Sequence, residues 1–291
     1  MRTILALGAL LGVAAGCGSP RHTGGALRVV AAENAYGDIA AQLGGARVSV
    51  TSLLSEPNAD PHLFQPGTSA GLAVAQAQLV IQNGAGYDAF ASKLETASPS
   101  GARVVVTVAD IVGVRGRDAN PHLWYDVPAL RDVAAAIEEG LAQVDPAHAA
   151  GYRARLRRFT VSLRPLLAEV RRIRARFAGV AVAYTEPVPG YLVDAAGLVN
   201  LAPSSFTRAI EDGTEPPPQA VAAMESLLRG RKVRALLYNS QAVSPLTARM
   251  RDAARHAGIP VVAVTETLPR GTSFQHWQLA QARALYEALA R

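Results

Sequence analysis

Along most of the chain, short apolar runs rich in valine and isoleucine alternate with longer stretches in which apolar residues recur every three or four positions. The first kind of run suits a strand buried on both faces and the second an amphipathic helix, so their alternation predicts βα units that build parallel sheets. The expected strands of the first half are Leu27 to Ala32, Val48 to Leu53, Leu79 to Gln82 and Val104 to Val106. Those of the second half are Val180 to Tyr184, Val199 to Leu201, Ala235 to Tyr238 and Pro260 to Val264. Four and four predict two similar lobes.

One stretch breaks the alternation. Asp145 and Pro146 suit a helix N-cap and first helical position, and Gly179 suits the residue just past a helix end. Between them Leu156, Phe159, Leu163, Leu166, Val170, Ile173 and Phe177 mark one apolar face, which predicts a single long helix. At ~1.5 Å per residue it would extend roughly 50 Å, with a kink at Pro165, whose ring clashes with the carbonyl four residues back. The expected fold class is therefore α/β: two lobes, each a mainly parallel four-stranded sheet with flanking helices, joined by one long backbone helix. A proline-rich loop, Glu215-Pro216-Pro217-Pro218, leads into a further helix over Gln219 to Leu228.

At 291 residues with 49% apolar and 18% charged residues, the chain has the material for about two folded domains. A single cysteine, Cys17, excludes an intramolecular disulfide framework and a cysteine-based zinc cluster, so a metal site must draw on His, Asp and Glu. The net charge of +6 permits nucleic acid or anionic lipid as a partner without requiring either. Nine arginines lie between Arg153 and Arg176 on the long helix, but no aromatic interleaving or DNA-binding motif accompanies them. A solvated helix face is expected there, and no nucleic-acid partner.

The N-terminus reads as a processed leader. Met1-Arg2-Thr3 is a basic start, and the apolar run of twelve residues from Ile4 to Ala15 has signal-peptide length, short of the ~20 residues a spanning helix needs. It ends in Ala14-Ala15-Gly16-Cys17, followed by the polar Gly18-Ser19-Pro20. This string resembles a bacterial lipobox, which implies lipidation of Cys17 and an extracytoplasmic, membrane-anchored protein; an ordinary small-residue cleavage site is the alternative. The expected organisation is a signal peptide over 1–16, a lipidated tether over 17–26, an N-terminal lobe over 27–144, a linker helix over 145–179 and a C-terminal lobe over 180–291.

The most informative feature is a near-repeat, Asp60-Pro61-His62-Leu63-Phe64 and Asn120-Pro121-His122-Leu123-Trp124. An Asx-Pro pair favours a turn and the proline ring fixes φ, so each imidazole leaves a stiffened loop with little freedom to lose on binding. The second half has its own pair, Ala183-Tyr184-Thr185-Glu186 and Ala263-Val264-Thr265-Glu266, in which an apolar strand runs out through Thr-Glu. Both carboxylates then lie at a strand's carboxyl end, the edge at which open parallel sheets bind ligands. His62 and His122 from one lobe with Glu186 and Glu266 from the other would make a four-ligand nitrogen and oxygen site for a divalent transition metal. Asp126, four residues after His122, could accept the distal N–H of that histidine, or could instead cap the helix that follows.

These strings resemble the metal-binding substrate-binding lipoproteins of bacterial zinc and manganese ABC transporters, the cluster A-I type. The resemblance runs through the whole chain after the leader, and its most specific match is Asn120-Pro121-His122-Leu123-Trp124-Tyr125-Asp126. It implies His62 and His122 as the first two ligands, Glu186 within Thr185-Glu186-Pro187-Val188-Pro189-Gly190-Tyr191 as the third and Glu266 as the fourth. It also implies one transported Zn²⁺ or Mn²⁺ per chain, a membrane permease and an ATPase as partners, and a monomer. Two departures bear on the metal: zinc-type members usually carry His where Glu186 stands, and Ile111 to Ala119 contains none of the histidines of their acidic loop. The Irving–Williams order nevertheless favours Zn²⁺ over Mn²⁺ in any nitrogen and oxygen site. Against transport stand a metal-dependent hydrolase using the same cluster and a surface adhesin. The hydrolase needs an open coordination position, and no His-Glu-x-x-His motif occurs.

Overall fold

The computed structural model describes residues 25–56, 63–116 and 119–291. In the first half, β1 (Leu27–Glu33), α1 (Asn34–Gly44), β2 (Val48–Leu54), α2 (Thr68–Gln76), β3 (Leu79–Gln82), α3 (Ala89–Ala97), β4 (Val104–Thr107), α4 (Val108–Val112) and α5 (Leu130–Val144) follow one another. Two helices, α6 (Ala149–Ser162) and α7 (Arg164–Phe177), then lead to the second half. There the order is β5 (Ala181–Tyr184), α8 (Gly190–Ala195), β6 (Val199–Asn200), α9 (Ser204–Glu211), α10 (Pro218–Arg229), β7 (Leu236–Asn239), α11 (Pro245–His256), β8 (Val261–Val264) and α12 (Phe274–Ala290).

Each half forms a four-stranded, all-parallel sheet, with orders β2-β1-β3-β4 and β6-β5-β7-β8. The central strands β3 and β7 are buried at every position, which is why their sequences are unbroken apolar runs. In both sheets the chain reverses its direction of winding between the two inner strands, β1 and β3 or β5 and β7. The carboxyl ends of such a pair leave a crevice that no crossover helix fills.

The expected long helix is present and bends where proline demands it. Pro165 has no N–H to continue the ladder, and α6 gives way to α7 at Leu163. Backbone bonds from Leu163 to Phe159 (3.2 Å) and from Leu167 to Leu163 (3.0 Å) carry the helix across the bend. Its apolar face is buried: Phe159, Leu163, Leu166, Val170 and Ile173 join a core cluster that continues from the first sheet into the second. Of the arginines, Arg155 donates to the carbonyls of Leu43 (2.6 Å) and Gly44 (2.7 Å), satisfying the end of α1. Arg172 lies over the Tyr286 ring at 3.6 Å from its centroid. Among the described residues no helix is long and apolar enough to cross a membrane.

The two halves also meet directly along the carboxyl edges of their sheets. Asn34 exchanges two hydrogen bonds with the backbone of Leu268, at 2.9 and 2.8 Å. The Tyr125 hydroxyl donates to the Thr265 carbonyl (2.7 Å) and lies 2.6 Å from Gln281 Oε1. The Tyr125 contacts bring the second Pro-His loop against the loop after β8.

Candidate metal site

The Asn120-Pro121-His122 segment is clamped from both lobes. Asn83, just past β3, donates its amide to the Pro121 carbonyl (2.7 Å), while Tyr191 of α8 donates to the Asn120 carbonyl (2.7 Å). The Asn120 amide nitrogen donates to the Pro187 carbonyl (2.7 Å), which turns the amide oxygen toward His122. That oxygen accepts the His122 backbone N–H (3.1 Å) and lies 2.8 Å from Nδ1. Gly190 makes room for this: a Cβ there would come within 2.6 Å of the Asn120 amide nitrogen.

A carboxamide oxygen only accepts, so Nδ1 carries a ring proton and Nε2 is the nitrogen that faces the rest of the pocket. Nε2 faces two carboxylates, Glu266 Oε2 at 3.2 Å and Glu211 Oε2 at 3.7 Å. Nε2 donates to these carboxylates when the ring is protonated, and offers its lone pair to a metal when it is not. The imidazole is fully buried, walled by Trp124 and Tyr87 at 5.3 and 5.5 Å between ring centroids.

The second lobe delivers its carboxylates at the crevice between β5 and β7. Glu186 lies two residues past β5 and Glu266 two residues past β8, both buried. Asn239, the last residue of β7, joins them: its amide donates to Glu186 Oε2 and to Glu266 Oε1, the latter at 2.7 Å. The Glu266 backbone N–H donates to Gln241 Oε1 (2.5 Å), so the loop after β7 braces the loop after β8. Tyr87 donates to Glu266 Oε2 (2.7 Å), and burial, then the Glu266 charge, hold its phenol protonated. The threonines of the two Thr-Glu pairs anchor the strand ends: Thr185 Oγ1 accepts the Asn239 N–H (3.2 Å) and Thr265 Oγ1 accepts the Trp277 indole N–H (2.9 Å).

Three of the four expected ligands, His122, Glu186 and Glu266, thus stand on one connected network. His62 and Cys17 lie outside the described residues. Among the described residues no group of three or more His, Cys, Asp or Glu side chains is arranged so that it could hold a metal ion. Of the two expectations for Asp126 the histidine partner gives way, since Asn120 occupies Nδ1 two residues away across a turn; Asp126, partly buried, stands at the N-cap position of a 3-10 turn over Val127–Ala129. Asn239, Glu211 and Tyr87 went unrecognised. A polar residue closing the apolar run Leu236–Asn239 was the one local signal for Asn239; Glu211, at the end of a surface helix pattern, had none.

Beneath the site a second acidic pair has a different character. Asp88 accepts the backbone N–H groups of Asn83 (2.6 Å) and Gly84 (2.8 Å), shaping the loop that holds Pro121. Burial, then the neighbouring Asp88 charge, push the Glu33 carboxyl well above its ordinary value of 4.5. The folded protein keeps a proton that the unfolded chain releases, so this residue's contribution to stability falls as pH rises above the ordinary carboxylate range. Glu33→Gln, which does not titrate, should therefore gain in thermal stability relative to wild type between pH 4.5 and pH 8. Equal differences at the two pH values would mean that Glu33 is ionised in the fold.

A family model described as ZnuA, zinc-uptake complex component A, periplasmic, matches residues 29–288. The chain belongs to this family. Its members are binding proteins rather than enzymes, and they are extracytoplasmic. Similar proteins include the manganese-binding lipoprotein MntA of Halalkalibacterium halodurans, 28% identical over 160 residues, which are 53% of each chain. The iron-binding protein YfeA of Yersinia pestis is 27% identical over 176 residues, 58% of this chain and 56% of that one. The chain thus spans about half the length of these curated relatives. Among solved structures, the periplasmic zinc-binding protein TroA of Treponema pallidum superposes with a TM-score of 0.76 at 21% identity, covering 92% of this chain and 100% of that one. The binding protein FpvC of Pseudomonas aeruginosa in complex with Mn²⁺ gives 0.76 at 18% identity, covering 91% and 99%. At these identities the likeness is one of fold, two α/β lobes and a joining helix.

Proposed function

We propose that the protein captures one divalent transition metal, Zn²⁺ or Mn²⁺, between lobes over residues 27–144 and 180–291, and delivers it to the permease of an ATP-driven importer. The observation that supports this most directly is the Asn120 oxygen at His122 Nδ1, which leaves Nε2 directed at carboxylates in a buried pocket. The ligand set is His62, His122, Glu186 and Glu266, with Asn120 orienting the second histidine and Asn239 the two glutamates. We further infer an extracytoplasmic protein held at the membrane by a lipid on Cys17 and acting as a monomer. The names of the relatives, manganese-, iron- and zinc-binding, fit a mixed nitrogen and oxygen site that takes several metals of this row. No observation favours the hydrolase or the adhesin.

The test is elemental analysis of protein purified without added metal, followed by competition titrations against a chelator. One ion per chain is expected, with Zn²⁺ bound more tightly than Mn²⁺. Glu186→His replaces a hard oxygen donor by nitrogen and should raise the Zn²⁺ to Mn²⁺ affinity ratio further. An unchanged ratio would remove Glu186 from the ligand set, and protein that binds neither metal would end the transport reading.

A further inference from the structure

Glu211 belongs to no ligand position that the sequence indicates, yet its Oε2 is 3.7 Å from His122 Nε2. It is the last residue of α9, and Asp212 follows it at the helix C-cap. Acids at a helix C-terminus oppose the partial negative charge of the last carbonyls, a cost that Arg208 in the same last turn offsets in part. A cleft of about 570 Å³ opens beside them, with Tyr87, Asn120, Pro187, Arg208, Glu211 and Asp212 in its lining. Of Glu186, Glu211 and Glu266, only Glu211 borders that cleft. Its side chain is 13% exposed, whereas those of His122 and Glu266 are at 0%. Glu211 therefore reaches both the cleft and the buried imidazole.

We propose that Glu211 is the port carboxylate of the site: it takes the incoming metal ion from the cleft and passes it to His122 Nε2, without being a ligand of the seated ion. This rests on the metal-capture reading above. A hydrated cation entering through the cleft must exchange water for protein donors one at a time, and an intermediate carboxylate lowers the barrier to that exchange in both directions. Arg208, on the same helix, would oppose a cation in the cleft, and Glu211, three residues on in the same lining, supplies the anion that offsets it.

A residue on the path alters rates without altering the end states. In stopped-flow exchange of Zn²⁺ with a chromophoric chelator, Glu211→Gln should slow association and dissociation together by roughly tenfold, the lower range of what charged cleft walls contribute to capture. The equilibrium dissociation constant should be nearly unchanged. Glu211→Asp, which keeps the carboxylate, should recover part of both rates and serves equally if the glutamine variant folds poorly. Asp212→Asn controls for general attraction of cations to the cleft and should have a clearly smaller effect. Wild-type rates in Glu211→Gln, or equal slowing by Asp212→Asn, would overturn the proposal. So would faster dissociation at an unchanged association rate, which would make Glu211 a ligand of the seated ion. Each of these leaves metal capture standing; wild-type protein that takes up no Zn²⁺ would instead remove the capture reading itself.

Discussion

His122→Ala should reduce metal affinity by well over the roughly 100-fold that loss of an outer partner of a ligand histidine can cost. The substitution removes a coordinate bond and takes away the nitrogen that Glu266 and Glu211 both approach, at 3.2 and 3.7 Å. Tyr87 and Asn239 would still donate to Glu266, so the carboxylate stays in place and the loss can be assigned to the missing nitrogen. His256→Ala and His276→Ala are the matching controls, since both side chains are exposed on helices remote from this network. Wild-type binding should also weaken on acidification, because Nδ1 is already protonated and a second proton can add only at Nε2, where the metal must bind. Competition titration of the three variants decides the matter: comparable losses in all three would remove His122 from the site.

The largest effect on stability is expected at Trp124. Its side chain is fully buried and makes edge-on contacts with Tyr87, His122 and Tyr36 at centroid separations of 4.9, 5.3 and 6.3 Å. Trp124→Ala exposes no new surface that the fold could close over easily, so a cost of ~3–5 kcal/mol is expected. For a protein of this size that corresponds to a fall in Tm of about 10 °C. Because the same ring walls the imidazole, metal affinity should fall as well, through lost orientation. Trp124→Phe should retain most of the stability. Thermal denaturation of the metal-free variants is the measurement, and a change of under about 3 °C in Trp124→Ala would show that the neighbours repack around the hole.

The strands were legible because most are short apolar runs, and burial on both faces leaves β3 and β7 little room for any other pattern. All eight lie within a residue or two of their expected places, though β6 is reduced to Val199–Asn200. The bend in the long helix was legible too, since it follows from a covalent property of Pro165 that no tertiary contact can change. His122 was legible for a similar reason: the Asx-Pro turn that presents it is built from adjacent residues, and Asn120 Oδ1 does accept the backbone N–H two positions on.

The selection of an Nδ1 partner was another matter. Asp126 had the chemistry for it, but the Pro187 carbonyl, 67 residues from Asn120 and in the other lobe, turns the Asn120 amide toward the ring first. Asn239 bridges Glu186 and Glu266 only because parallel pairing places β7 beside both β5 and β8. Glu211 meets His122 only because α9 ends at the cleft where the lobes face each other. What the amino-acid order determined alone was what short-range sterics and solvent exclusion decide: the strands, the bend, and a stiff loop bearing an imidazole. Which atoms face that imidazole was decided by the tertiary structure, because hydrogen bonds and charge contacts act over about 3 Å and depend on chain segments that only packing brings so close.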